Sequence, residues 1–272
     1  MTRPTAWSLR VDAPRTGAEN MALDHTLARE LPAGRGWVRL YRWSRPTLSL
    51  GRNEPARHVL DRAALRRDGI DVVRRPTGGR AVLHDHELTY AVVAPIRALG
   101  GVRAGYALLN HGLAEGLALL GVRATPAPEG AAGPLDAGAC FRGAARGEVV
   151  AAGRKLVGSA QVRIGDVLLQ HGSILISDDQ WRLARYRRAA GTEPEEEVRP
   201  EDPLPATLED LLGREVGPGE VAEAVGRGFR RVLPGDWRGA ATRGSLEGGD
   251  VPFRPAPDLL DHYRSPEWSW RR

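Results

Sequence analysis

Cysteine and lysine occur once each in this 272-residue sequence, as Cys140 and Lys155. One cysteine makes no internal disulfide and no cysteine-rich metal centre. Lysine and arginine together number 39, so 38 of those positions are arginine. Arginine is planar and always protonated, whereas lysine is a compact ammonium whose pKa moves on burial. A chain that writes arginine almost everywhere has kept one ammonium. Long apolar runs are also missing, and no stretch reaches the roughly 18–20 residues of a membrane span. The first 15 residues lack the apolar centre of a signal peptide, so a cytoplasmic protein is expected. Aromatic residues make up only 6% of the chain, and its arginines are dispersed rather than gathered in a block. Despite a formal charge of +5 and a pI near 9.9, nucleic acid is therefore not the expected partner. Of seven histidines only His84 and His86 are close, and two ligands in a strand-like run make no structural metal site.

What is present describes an ordinary globular protein, 42% hydrophobic and 27% charged. Its length suits a single domain over 1–272, or a domain with a small appendage, with a core at about 17–233. An acidic, proline-rich loop at 191–205 and a docked tail from 234 are expected to accompany it. Apolar spacing predicts helices at 17–31, 55–68, 104–120, 178–190, 206–213 and 218–232. Strands are expected at 37–43, 46–50, 70–75 and 87–94, after Gly121, and at 148–152, 155–164 and 167–176. Gly165-Asp166 reads as a hairpin turn. Strands and helices interleave without strict alternation, so the fold class is mixed α/β, a mostly antiparallel sheet with helices packed on it.

The chemistry concentrates between 140 and 174. Lys155 is flanked by Gly153 and Gly158 and followed by Ser159, Gln161 and His171. Cys140 ends a loop of small residues, where a nearby ammonium would favour its nucleophilic thiolate. His171 suits a general base, an orienting donor or a satisfied core histidine. Earlier in the chain Arg74-Arg75-Pro76-Thr77-Gly78-Gly79-Arg80 lies between two expected strands. It reads equally as an ordinary hairpin with a Gly-Gly turn and solvated arginines or as a cradle for an anionic or carbonyl group.

RRPTGGRAVLHD, GRKLVGSAQVR and LLQHGSIL, in this order and spacing, resemble the lipoate-protein ligase, octanoyltransferase and biotin-ligase superfamily. AENMALD and YRWSRPTLSLGRNEP resemble it too, so the likeness spans about 17–178. Cys140-Phe141 shortly before the lysine motif is similar to the cysteine-dependent octanoyltransferases of the ligase-like subgroup. That resemblance implies a lipoate-ligase-like catalytic fold, no ATP or other cofactor, and octanoyl-acyl carrier protein as donor. It implies as acceptor a lysine of a lipoyl domain, such as glycine cleavage H protein or a 2-oxoacid dehydrogenase E2. Cys140 would carry the acyl thioester and Lys155 would bind the carbonyl. Gly78, Gly79, Gly158 and Ser159 would line the acyl site. Arg75, Thr77, Arg80, His84, Ala160, Gln161, His171 and Gly172 complete the expected binding residues. Arg80 stands where ATP-dependent ligases usually carry a third glycine, which favours the transferase. An ATP-dependent ligase, an amidotransferase between lipoyl domains and a non-catalytic acyl- or carrier-binding module are the competing readings.

Overall fold

The computed structural model describes residues 6–127, 147–177, 179–188, 204–238 and 254–271. Strand β1 (Ala6–Val11) leads to helix α1 (Gly17–Arg29). Thr16 starts that helix with a capping box: its side chain accepts from the Glu19 amide while Glu19 returns to the Thr16 amide. Then come β2 (Arg35–Tyr41), β3 (Thr47–Leu50), α2 (Arg62–Arg67), β4 (Asp71–Arg74), β5 (Val82–His84) and β6 (Glu87–Pro95). After α3 (Val102–Leu119) come β7 (Ala124–Pro126), β8 (Val149–Ala151), β9 (Arg154–Ile164) and β10 (Val167–Leu175). The chain closes with α4 (Leu208–Leu212), α5 (Pro218–Val232), β11 (Asp236–Arg238), α6 (Pro257–Arg264) and α7 (Pro266–Ser269).

Eight strands form one mixed sheet in the order β11-β1-β2-β6-β10-β9-β8-β7. Pairs from β2 through β7 are antiparallel, whereas β1 runs parallel to both β2 and β11. A second sheet orders β4-β3-β5. Helices α3 and α5 pack together through glycines: a Cβ on Gly228 would lie 2.3 Å from the Gly112 carbonyl oxygen. They cover one face of the large sheet around Tyr90, Leu109, Leu113, Val225 and Phe229. Leu23, Leu27 and Ala28 of α1 pack on the opposite face with Trp37, Tyr41 and Ala91.

Mixed α/β architecture is therefore as expected, and four local expectations change. The helix expected at 55–68 shrinks to α2, because Asp61 caps it with bonds to the Ala63 and Ala64 amides. The segment at 180–186 is a 3-10 turn, not an α-helix. Strand β2, whose WVRLYRW run alternates in sequence and so predicts one solvated face, is instead buried on both, Val38 and Leu40 in one apolar cluster and Trp37 and Tyr41 in another. The RRPTGGR segment is no hairpin: β4 and β5 flank β3 instead of pairing with each other. Strand β1 escaped sequence reading altogether. The Gly165-Asp166 turn is observed, with Gly165 at φ 58°. The expected loop at 191–205 lies largely outside the described residues.

Candidate active site

Between the two sheets lies a cavity of about 90 Å³. The large sheet contributes Tyr41, Thr89, Gly158, Ser159, Ala160, His171, Gly172 and Ser173 to its wall. The small sheet and its connecting loop contribute Ser49, Val82, His84, Arg75 and Gly79, while Met21, Trp43 and Glu148 complete it. Glycine is required where β9 and β10 open onto it. A Cβ on Gly172 would sit 2.1 Å from the Gly158 carbonyl oxygen and 2.8 Å from the Tyr90 ring.

Three polar assemblies shape the walls. Arg75, buried, donates through Nη1 to the Ser49 carbonyl at 2.9 Å and through Nη2 to the Gly78 and Arg80 carbonyls at 3.0 and 2.7 Å. Its guanidinium thus fixes the glycine loop from inside. His84 Nε2 meets Ser49 Oγ at 2.7 Å, while Nδ1 faces Glu87 Oε1 and Ser173 Oγ, each at 3.2 Å. Burial holds the His84 pKa below its ordinary value, against the pull of Glu87, so the ring is neutral at pH 7. Trp43 stacks on that ring at 4.1 Å. Thr77 Oγ1 and His171 Nε2 lie 2.7 Å apart, and His171 Nδ1 faces Asp24 Oδ2 at 3.4 Å. Asp24 in turn accepts from Tyr41 OH at 2.8 Å and from Arg39 Nη1 at 2.7 Å. Asp24 Oδ2 already accepts from Tyr41, so the His171 ring hydrogen faces it from Nδ1 and Nε2 accepts from Thr77 Oγ1.

Lys155 sits in β9, buried, with its ammonium 2.8 Å from Glu148 Oε2. Glu148 lines the cavity and Lys155 does not, so the one lysine of the chain stands behind the wall, one carboxylate removed from the space. A paired ammonium in low dielectric can polarise a carbonyl or stabilise an oxyanion.

Eight of the residues expected from sequence line the cavity: Arg75, Gly79, His84, Gly158, Ser159, Ala160, His171 and Gly172. Thr77 stands behind it, holding His171, while Gly78 and Arg80 offer backbone carbonyls to Arg75. Gln161 is not part of the lining; it donates to Gln170 Oε1 at 2.8 Å in a network that continues to Tyr90 and Asn110. Cys140 lies outside the described residues. The solvated-arginine reading fails, since Arg74 and Arg75 are both buried. Sequence reading missed Asp24, Glu148, Met21, Tyr41, Trp43, Ser49, Val82, Thr89 and Ser173. Only Asp24 left a signal, as an acid within the apolar spacing of the AENMALD helix. Asp85, His86 and Asp179 place ligand atoms within 4.8 Å of one another, but Arg182 already donates to Asp85 Oδ2 at 3.0 Å there.

The catalytic-domain model of lipoyl protein ligases A and B matches residues 16–230, and the chain belongs to that family. A solved lipoate-protein ligase A bound with ATP shares its fold, with a TM-score of 0.73 over 99% of both chains at 22% identity. Its curated relatives are more specific. Octanoyltransferase LipM of Carboxydothermus hydrogenoformans is 41% identical over 220 residues, covering 79% of this chain and 81% of the relative. LipM of Kyrpidia tusciae is 38% identical across 98% of this chain and 99% of its own. The chain is accordingly an acyltransferase, an octanoyltransferase of lipoate biosynthesis.

Proposed function

We propose that this enzyme transfers an octanoyl group from acyl carrier protein to a lipoyl-domain lysine through a thioester on Cys140. The observation that carries the reading is Lys155, the one lysine in the chain, buried against Glu148, a carboxylate that lines the inter-sheet cavity. In the first step the Cys140 thiolate attacks the donor thioester carbonyl. The tetrahedral oxyanion collapses with loss of the carrier thiolate, which takes up a proton. In the second step the neutral amine of the acceptor lysine attacks the Cys140 thioester. An amide forms, the Cys140 thiolate leaves and the amine proton departs to solvent or a base. Lys155 donates to the acyl oxygen in both steps, and Glu148 holds its ammonium in place. The acyl chain occupies the cavity, whose backbone is exposed at Gly79, Gly158 and Gly172. The basic chain suits an acidic carrier through electrostatic steering. H protein or an E2 lipoyl domain is the proposed acceptor, the cytoplasm the proposed compartment, and one catalytic domain the proposed organisation.

Intact-protein mass spectrometry after mixing enzyme with octanoyl-acyl carrier protein, without ATP, tests this reading. One octanoyl adduct is expected, removable by hydroxylamine and absent in Cys140→Ala. Lys155→Arg should retain folding but lose about 10²–10³ in kcat, the usual cost of one oxyanion donor. Acceptor modification by Cys140→Ser with ATP and free octanoate would instead make the chain a ligase. Adduct formation from an octanoylated lipoyl domain, but not from acyl carrier protein, would make it an amidotransferase.

A further inference from the structure

The C-terminal segment from 256 to 271 lies beyond the matched catalytic-domain region, yet it packs directly behind the cavity. Leu259 and Tyr263 of α6 form one buried apolar cluster with Met21, Ala22 and Val73. Trp43, Leu260 and Trp268 pack against that cluster. Met21 and Trp43 are the two members that also line the cavity. Polar bonds fix the segment in place. Arg29 donates twice to Asp258, at 2.5 and 3.1 Å, and the Ala256 amide donates to Thr26 Oγ1 at 2.9 Å. His25 Nδ1 meets Tyr263 OH at 3.0 Å. Farther along, Trp268 Nε1 donates to the Arg74 carbonyl at 2.8 Å. The Arg74 guanidinium donates to carbonyls of Trp268, Ser269 and Arg271 on one side and of Gly51, Arg52 and Glu54 on the other. Gly51 is pressed on the glycine loop, where its Cβ position lies 1.8 Å from the Gly79 carbonyl oxygen.

The two ends of the cavity differ. Glu148 and Lys155 stand at β8 and β9, whereas Trp43 follows β2, three strands away in the order β9-β10-β6-β2. At an inter-strand spacing near 4.8 Å that separation is about 14 Å, room for a medium-length acyl chain. A chain whose carbonyl sits at Lys155 directs its methyl end towards Trp43 and Met21. We propose that the C-terminal segment is the outer wall of this methyl end and sets the longest acyl group the enzyme accepts. This inference rests on the reading that the cavity holds the acyl chain. Met21 is an unbranched, flexible side chain, so its position depends on what stands behind it. Leu259 and Tyr263 supply that backing.

The test is a competition, on the full-length enzyme, among hexanoyl-, octanoyl-, decanoyl- and dodecanoyl-acyl carrier protein. Products on the lipoyl domain are resolved by mass. Met21→Ala enlarges the cavity directly, and Leu259→Ala removes the support behind it. Both should raise kcat/KM for decanoyl relative to octanoyl by about tenfold, within what fitting a methylene is worth. Leu259→Val provides a milder step of the same sign if Leu259→Ala fails to fold. Leu117→Ala, in the core on the other face of the sheet, controls for loosened packing and should leave the ratio unchanged. A shift for Met21→Ala with wild-type ratios in both Leu259 variants would reduce the segment to a stabilising element and overturn the inference alone. An equal shift for Leu117→Ala would overturn it as well. No shift for Met21→Ala would remove the acyl chain from this cavity and take both readings down.

Discussion

Two buried acidic regions of this molecule are built from the same residue types with opposite results. In the first, Arg39 donates to Asp12 Oδ2 at 2.6 Å, Asp24 Oδ1 at 2.7 Å and Asn20 Oδ1 at 2.7 Å. Its guanidinium also lies 3.8 Å from the centre of the Tyr41 ring. In the second, Arg182 spends its 3.0 Å contact on Asp85 and stands 3.9 Å from Asp179 Oδ2, which no hydrogen bond reaches. Burial pushes both carboxyls upward. At Asp12 the Arg39 and Arg10 guanidiniums overcome it and leave the pKa below the usual carboxylate range. At Asp179 burial wins, reinforced by the Asp85 charge, and the pKa rises to about 6. Burial alone penalises a carboxylate, and a guanidinium reverses the sign when it donates directly to the acid rather than standing a further ångström away.

The largest effect should come from breaking the first region. Arg39→Met leaves buried Asp24 without a guanidinium and Asp12 with Arg10 alone, and should cost about 3–5 kcal/mol in urea unfolding. A loss below about 1 kcal/mol would show that the acids find other partners. Asp12 contributes stability above its unfolded pKa near 3.8, and that contribution fades as pH falls through its lower folded value. The deficit of Arg39→Met should therefore shrink in strong acid.

Asp179→Asn should move stability the other way. Because the folded pKa is raised, ionisation of Asp179 costs nothing below the unfolded pKa of 3.8, weakens the fold progressively as pH rises from there, and weakens it fully above about pH 6. The variant should gain on the order of 2–3 kcal/mol at pH 7, with the gain vanishing near pH 4. An equal gain at both pH values would mean that ionisation is not its source. The smallest effect belongs to Arg182→Gln, at a half-buried pair, and should stay within about 1 kcal/mol. A larger loss would mean that the 3.9 Å contact matters more than the orphaned Asp179 oxygen indicates.

The same contrast explains how much was legible in advance. Glycine spacing in RRPTGGR and GRKLVGS marked the cavity because backbone must approach backbone there, and close approach restricts the residue type wherever it occurs. Lys155 stood out by rarity, although its partner Glu148 did not: one glutamate among 34 acidic residues carries no mark of its own. Gln161 sits in the expected motif yet does not line the cavity, because its amide is spent within the sheet on Gln170 of the neighbouring strand, a partner that no local spacing announces. Trp43 and Met21 read as core residues from periodicity. Met21 is a core residue and Trp43 a half-buried one, and both face the cavity as well.

By itself the sequence determined the family, the mixed α/β class, most element positions and the residue types available for chemistry. Periodicity, caps and glycines act over a few residues, where steric and hydrogen-bonding rules hold without knowledge of the rest. Only the tertiary structure decided which groups meet. Asp24 faces His171 across 147 positions of chain, and Arg74 reaches the Trp268 carbonyl across 194. Such pairs form because packing the helices and both sheets buries them together, and local spacing carries no record of that distance.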